Sequence, residues 1–169
     1  MSGTTSVLVT SDTHLRSGAK LPNALLELAA RADRILHAGD VTDPDVLDVL
    51  STFAPVDVVR GNCDGFDLFD RAPEWSVIDI AGVRVGMVHD AGSSAGRHAR
   101  LRERFGPDIG VAVYGHSHLP ELERVADGLL VINPGSPTQR RRAPFHSAVW
   151  LRIEDGAVRD AELIDLDET

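Results

Sequence analysis

The sequence is poor in cysteine, in basic residues and in long apolar runs. Its single cysteine, Cys63, cannot form a disulfide within the chain, and this is typical of a reducing compartment. The 17 Lys and Arg against 26 Asp and Glu give a net charge of −9, which disfavours an extended nucleic-acid-binding surface. No stretch approaches the ~18 apolar residues of a membrane span, and residues 1–6 do not resemble a secretory signal. We therefore expect a cytoplasmic protein that binds neither extended nucleic acid nor membrane.

The first half of the chain alternates short apolar runs with helical patterns. With 169 residues, 43% of them hydrophobic, the chain has the size and composition of one globular domain spanning residues 1–169. Apolar runs at 7–9, 35–36 and 56–59 predict strands, and Asp43-Pro44 predicts a helix start between the second and third. This βαβαβ order favours parallel strands.

The second half contains hairpin signals. Residues 75–80 and 83–88 predict a hairpin, and Asp127-Gly128 and Asp155-Gly156 predict two more turns between strands. A helix is expected over 94–105 and a strand over 109–114. We therefore predict an α/β protein with two mixed β-sheets packed face to face and flanked by helices.

Residue types that bind metals follow five of the predicted strands. Because the carboxyl ends of strands in an open α/β sheet line its crevice, these side chains can converge. Residues two apart on an extended segment point the same way, so Asp-x-His and His-x-His can each offer two donors. The set comprises Asp12, His14, Asp40, Asn62, His89, His116 and His118.

This donor set exceeds the needs of one ion and suits two divalent ions. Mixed Asp, Asn and His ligation favours Mn²⁺, Fe, Zn²⁺ or Ni²⁺ over Ca²⁺, which prefers oxygen alone. Two adjacent ions need a bridging carboxylate and acidify a shared water. Such a pair of ions generates a nucleophilic hydroxide from that water.

The motifs Asp12-x-His14, Gly39-Asp40, Gly61-Asn62-Cys63-Asp64, His89 and Gly115-His116-Ser117-His118 resemble those of the calcineurin-like metallophosphoesterases, in order. The Asn133-Pro134-Gly135-Ser136 segment and the Gly-Asn-Cys-Asp form resemble the small YfcE-type phosphodiesterases. The resemblance covers residues 6 to 153 and implies the family's α-β-β-α sandwich. It implies a first ion at Asp12, His14 and His118, a second at Asn62, His89 and His116, and a bridge at Asp40. The resemblance also implies in-line attack on phosphorus by a hydroxide that bridges the ions. Mn²⁺ is our first choice of metal.

The resemblance also implies catalytic roles, for Asp40, Asn62, His89, Cys63 and Asp64. The wider family carries histidine where this chain has Cys63, and that histidine is credited with protonating the leaving group. Since a thiol is a weak hydrogen-bond donor, we expect the dedicated acid to be missing or replaced by metal-bound water. Small phosphodiesters with good leaving groups are then the expected substrates. Asp90, where glycine commonly stands, is expected to hydrogen-bond a metal-bound imidazole.

Several further polar residues have two interpretations. His37 is expected to support the site rather than bind metal, His98 to lie on a solvated helix face, and His146 to lie outside the site. Arg140 is the favoured candidate for binding a substrate phosphate, whereas Arg141 and Arg142 are expected to be merely exposed. The segment 133–136 either offers backbone amides to the phosphate or positions the His116–His118 loop.

Two rival functions remain open at this point. The retromer subunit of the vacuolar protein-sorting complex is similar in fold and acts as a protein-binding scaffold, so a non-catalytic metal-binding scaffold is the alternative. A scaffold can lose metal ligands without penalty, and this chain keeps all of them. A DNA-repair nuclease is disfavoured because the chain has no basic platform. Relatives suggest a homodimer or homotetramer.

Overall fold

The computed structural model describes residues 3–168, which form ten strands and three α-helices. Short 3₁₀ turns lie at Gly18–Lys20 and Phe66–Leu68. In chain order the elements are β1 (Thr5–Thr10), α1 (Asn23–Ala29), β2 (Arg34–His37), α2 (Pro44–Ser51), β3 (Val56–Val58), β4 (Trp75–Ile80), β5 (Val83–Val88), α3 (Arg97–Phe105), β6 (Val111–Val113), β7 (Glu121–Arg124), β8 (Leu130–Asn133), β9 (Ser147–Glu154) and β10 (Ala157–Asp165).

The strands form two five-stranded mixed sheets. The first has the order β10-β9-β1-β2-β3, in which β1, β2 and β3 are parallel and β9 runs antiparallel to both β1 and β10. The second has the order β4-β5-β6-β8-β7, with β5, β6 and β8 parallel and both edge strands antiparallel. The hairpins predicted at residues 75–88, 127–128 and 155–156 are all present.

The two sheets pack face to face and each carries helices on its outer face. Alternation along β1 shows the arrangement, since Val7 and Val9 face the second sheet while Leu8 packs outward against α1 and α2. On the opposite outer face, Leu101 and Phe105 of α3 cover the second sheet. The predicted α/β sandwich of two mixed sheets flanked by helices is confirmed.

The helix starts reflect local chemistry. Asp43 caps α2 as predicted, because its carboxylate accepts a hydrogen bond from the amide of Asp45 at 2.9 Å. The apolar face predicted for this helix is correct at Val46 and Leu50, but Phe53 lies beyond its end. Helix α3 begins at Arg97 rather than at residue 94, since Gly96 adopts a left-handed conformation with φ of 73°. Within the described residues, no helix combines the length and apolar character needed to cross a membrane.

Candidate metal centre

The predicted metal ligands lie on sharp turns that follow the strands. Asp12, His14, Asp40, His116 and His118 all have positive φ, between 45° and 69°. Such left-handed backbone is uncommon for residues other than glycine and persists only where the surrounding structure imposes it. These turns aim the side chains of separate loops into one cleft.

Three of the donors form a buried group, which we call the inner cluster: Asp12, His14 and His118. The Oδ1 atom of Asp12 lies 3.4 Å from Nε2 of His118 and 3.7 Å from Nε2 of His14. The two imidazole Nε2 atoms are 3.2 Å apart. Asp12 and His118 are fully buried. These donor atoms therefore converge on a volume suited to one ion.

A second group, the outer cluster, consists of Asn62, His89 and His116. The Oδ1 atom of Asn62 lies 3.2 Å from Nε2 of His89 and 3.0 Å from Nδ1 of His116. Asp40 lies between the two clusters, with its Oδ2 atom 3.3 Å from Nε2 of His89 and 3.4 Å from Nε2 of His14. The structure thus brings all seven predicted ligands together, with the carboxylate of Asp40 in the middle.

The chemistry of these donors fits divalent cations. The Oδ1 atom of Asp12 is buried without a hydrogen-bond partner, a costly arrangement unless something positive meets it. His89 and His118 direct Nδ1 at the backbone carbonyls of Ala38 and Gln139, which favours protonation there and leaves each Nε2 lone pair facing the cleft. The donors are therefore arranged for metal binding.

The electrostatics keep the two carboxyl groups ionised. Burial on its own raises the pKa of Asp12, but the nearby imidazoles of His118 and His14 lower the pKa well below its usual value. The pKa of Asp40 is also lowered, because His89 and the backbone amide of Cys63 outweigh the effect of burial. Both side chains are available as anionic ligands at neutral pH.

Asp64, a predicted catalytic residue, holds the loops together. Its Oδ2 atom accepts hydrogen bonds from the amides of Gly61 at 2.7 Å and Asp40 at 3.1 Å, and its Oδ1 atom accepts from Thr42 at 2.8 Å. Both carboxylate oxygens are thus occupied by backbone groups. The geometry gives Asp64 a positioning role toward these loops, and its catalytic role stays a prediction.

The segment 133–136 positions the histidine loop, which decides between the two interpretations above. Asn133 donates from Nδ2 to the carbonyl of Gly115 and to Oγ of Ser117, both at 3.0 Å. Ser136 donates from Oγ to the carbonyl of Asp12 at 2.8 Å. Thr138, which the sequence analysis missed, donates to the carbonyl of residue 13 at 2.6 Å. Its position two residues after this segment was the available signal.

Two glycines are required by close approach to the ligands. A Cβ atom at Gly61 would lie 2.1 Å from Oδ1 of Asp40. One at Gly115 would lie 2.0 Å from Oγ of Ser11 and 2.7 Å from Oδ2 of Asp12. Any side chain here would therefore displace the carboxylates.

His37 supports the site from behind. Its Nδ1 atom accepts a hydrogen bond from the amide of Gly39 at 3.2 Å, and its Nε2 atom lies 3.1 Å from Oγ1 of Thr13. The ring is completely buried, and burial lowers the pKa of His37 to about 4. The imidazole is therefore neutral at pH 7 and links the turns that carry the two aspartates.

Cys63 lies at the exposed side of the cleft. A metal-ligating atom of His14, one of Asp40 and the thiol sulfur of Cys63 lie within 4.8 Å of one another. Burial and the negative charge of Asp40 raise the pKa of the thiol. Cys63 is therefore protonated at neutral pH.

Other residues singled out in the sequence make no hydrogen bond to the predicted ligands among residues 3–168. The carboxylate of Asp90 accepts a hydrogen bond from the amide of Gly92 at 2.7 Å, and the carbonyl of Ala38, rather than Asp90, lies 2.7 Å from Nδ1 of His89. Arg140 donates to the carbonyl of Ala143 at 2.8 Å, and Arg141 and Arg142 are exposed, as expected. The phosphate contact expected of Arg140 stays a prediction.

The two remaining histidines form ion pairs elsewhere. Nε2 of His98 lies 3.0 Å from a carboxylate oxygen of Glu121, which also accepts from Arg97. Nδ1 of His146 lies 2.7 Å from Asp167. His146 lies outside the predicted ligand set, as expected, whereas His98, expected on a solvated helix face, is only partly exposed because it pairs with Glu121.

Comparison with known proteins agrees with this geometry. The calcineurin-like phosphoesterase superfamily domain matches residues 6–156. A probable metallophosphoesterase of Methanocaldococcus jannaschii is 37% identical over 172 residues, covering 99% of this chain and 85% of that protein.

Two solved structures share the fold. Vacuolar Protein Sorting 29 from Cryptosporidium parvum is 21% identical with a TM-score of 0.77, covering 96% of this chain and 98% of that one. The E. coli phosphoesterase YfcE is 22% identical with a TM-score of 0.64, covering 93% and 98%. On the domain match and the archaeal relative, the chain belongs to the calcineurin-like phosphoesterase superfamily, whose members are metal-dependent.

Proposed function

We propose that this protein is a phosphodiesterase that binds two divalent metal ions and hydrolyses small phosphodiesters. The observation that carries the proposal is the position of Asp40. Its Oδ2 atom lies within 3.4 Å of an imidazole from each cluster, which is the arrangement that a bridging carboxylate needs. Asp12 is the other carboxylate near both clusters, but its Oδ1 atom lies 3.9 Å from Nε2 of His89, against 3.3 Å for Oδ2 of Asp40.

The donors on this chain suit Mn²⁺ first, with Fe, Zn²⁺ and Ni²⁺ as alternatives, because oxygen and imidazole nitrogen are mixed. Asp12, His14 and His118 would hold one ion, and Asn62, His89 and His116 the other. Such ions, when bound, supply an activated water as nucleophile and positive charge for the phosphoryl oxygens.

The chain's own residues then have distinct tasks. Asp12 and Asp40 supply the negative charge that retains the cations, while the neutral amide of Asn62 contributes a ligand without adding charge. Cys63 lies at the exposed side of the cleft, where its thiol of raised pKa is a poor substitute for a dedicated acid to the leaving oxygen. Because a thiol is a weak donor, diesters with good leaving groups are the preferred substrates.

The remaining proposals concern the size of the substrate, the cellular location and the oligomeric state. A net charge of −9 supports a small diester rather than extended nucleic acid as substrate. We further propose a cytoplasmic homodimer or homotetramer. The scaffold alternative draws on the fold shared with Vacuolar Protein Sorting 29, but a scaffold has no need of seven convergent donors.

The test is hydrolysis of bis-p-nitrophenyl phosphate by protein stripped of metal and reloaded with Mn²⁺. We expect Asp40→Ala to lower kcat/KM by at least about a thousandfold, since it removes a ligand shared by both ions. Asp108→Ala is the matched control, because this exposed carboxylate is paired with Arg84 far from the cleft. Equal rates for wild type and Asp40→Ala would contradict the proposal and favour the scaffold.

A further inference from the structure

A cleft adjoins the outer cluster and extends away from it. About 370 Å³ in volume, it is lined by Asn62, His89 and His116 on one side and by Trp75 and Arg104 on the other. A larger hollow of about 620 Å³ shares Trp75 and Arg104 with this cleft, so the two adjoin. A substrate phosphate at the outer cluster would therefore leave its organic group facing these two side chains.

Trp75 is an exposed aromatic ring held in a fixed place. Its side chain is 48% exposed. Its backbone is fixed because Trp75 starts strand β4 and pairs with Val88, the residue before His89. The buried ring of Phe105 supports it from below, with ring centroids 6.4 Å apart at 56°. A ring that is fixed by its neighbours and open to the cleft offers a stacking surface for a planar group.

Arg104 is the unpaired cation of this cleft. Among residues 3–168 its guanidinium has no hydrogen bond or ion pair. The other lining arginines are occupied, since Arg60 pairs with Glu74 at 3.3 Å and Arg100 donates to the backbone carbonyls of its own loop. Arg104 is thus free to bind an anionic group of a substrate.

The acidic residues of the cleft restrict what can bind there. Glu74, Asp90 and Glu103 line the cleft or the adjoining hollow, so a polyanionic strand would meet repulsion along its length. A ligand with a single additional phosphate, bound at Arg104, would meet less of this repulsion. The lining therefore suits a short ligand with one planar group and one extra anionic group.

Building on the proposed function, we propose that the substrates are nucleotide-like phosphodiesters whose base stacks on Trp75 and whose second phosphate contacts Arg104. The scissile phosphate lies at the outer cluster. Trp75 and Arg104 are then the specificity-determining residues of the reaction.

The test compares three substrates of the Mn²⁺-loaded enzyme: ethyl p-nitrophenyl phosphate, the p-nitrophenyl ester of thymidine 5′-phosphate, and the same ester carrying a 3′-phosphate. We expect Trp75→Ala to lower the kcat/KM ratio of either nucleoside ester to the ethyl ester about tenfold, the value of one stacked base. Trp75→Phe, which keeps an aromatic face, retains most of that ratio. Arg104→Ala should lower the kcat/KM of the 3′-phosphorylated ester about fivefold relative to that of the ester without a 3′-phosphate. This factor corresponds to the loss of one solvent-exposed charge contact.

Two control variants match these changes outside the cleft. Phe53 is 41% exposed beyond helix α2, and Arg159 lies on strand β10, so Phe53→Ala and Arg159→Ala should leave all ratios unchanged. Unchanged ratios in the Trp75 and Arg104 variants, with a wild type that hydrolyses the ethyl ester, overturn this inference alone. A wild type that hydrolyses none of the esters overturns the proposed function as well.

Discussion

The inner and outer clusters offer similar donors in contrasting surroundings. In the inner cluster Asp12 and His118 are fully buried. In the outer cluster Asn62 and His116 are exposed, and only His89 is buried. The two clusters therefore differ in solvent exposure, and we expect them to differ in how firmly they bind metal.

The supporting hydrogen bonds follow the same division. The turn that carries Asp12 and His14 is held by Ser136, Thr138 and His37, all of which contact residues 12 or 13. Among residues 3–168, the side chain of Asn62 has only the imidazoles of His89 and His116 and the thiol of Cys63 as hydrogen-bond partners. We infer that the inner cluster is preorganised and retains its ion more firmly, while the outer cluster receives the substrate.

Removing one ligand from each cluster has the largest expected effect. Asp12→Asn should lose the ion of the inner cluster and therefore retain less metal than Asn62→Ala. Asn62→Ala should keep about one ion per chain after gel filtration, because the Asn62 amide is exposed and weakly supported and only the outer ion is lost. Both should lower kcat/KM at least about a thousandfold, since the proposed reaction uses both ions. Metal analysis and kinetics measure this. A lower metal content in Asn62→Ala than in Asp12→Asn would reverse the comparison.

His37 should make the stability of the folded protein depend on pH. Its pKa is about 4 in the folded protein against 6.5 ordinarily, so the unfolded chain binds more protons between these values. The stabilisation is complete above pH 6.5 and declines as the pH falls toward 4. We expect a loss of about 2 kcal/mol between pH 7 and pH 5, measured by urea unfolding of metal-free protein.

The matched variant for this measurement is His37→Asn, whose side-chain oxygen can still accept from the amide of Gly39. It removes the titrating group, so its stability should fall by less over the same range. The same pH dependence in variant and wild type would show that other groups are responsible.

Asp64 tests whether support of the loops can be separated from catalysis. Asp64→Asn weakens the contacts that hold Asp40 and Gly61, and we expect metal affinity to fall about 10–100-fold, as for other residues that orient ligands. Saturating Mn²⁺ should restore most of kcat. If kcat stays low while the metal affinity is unchanged, Asp64 takes part in the reaction directly.

Substitution of Cys63, at the exposed side of the cleft, has the smallest expected effect on kcat. Cys63→His should raise kcat about tenfold for diesters with alkyl leaving groups, below the usual range for a positioned acid, and change aryl esters little. Cys63→Ser serves as the size-matched control. An equal change for alkyl and aryl esters would exclude a role in leaving-group protonation.

Local sequence patterns predicted much of the fold. The strand pair at residues 75–80 and 83–88 and the cap at Asp43 appear where expected, since apolar alternation, turn residues and helix caps act over a few residues. The start of helix α3 was placed too early because the left-handed conformation of Gly96 depends on how its loop is packed.

The ligand types and their places after strands were also readable from the sequence, because strand periodicity and donor chemistry are properties of short segments. Of their supporting partners, His37 and the segment 133–136 were readable, whereas Thr138 and the contacts of Asp64 were not. Asp64 accepts hydrogen bonds from residues more than twenty positions earlier, and Thr138 donates to a residue 125 positions earlier. Such contacts join segments that become neighbours only when the chain folds. The sequence therefore determined which chemistry is present, and tertiary packing decided the burial, support and accessibility of each donor.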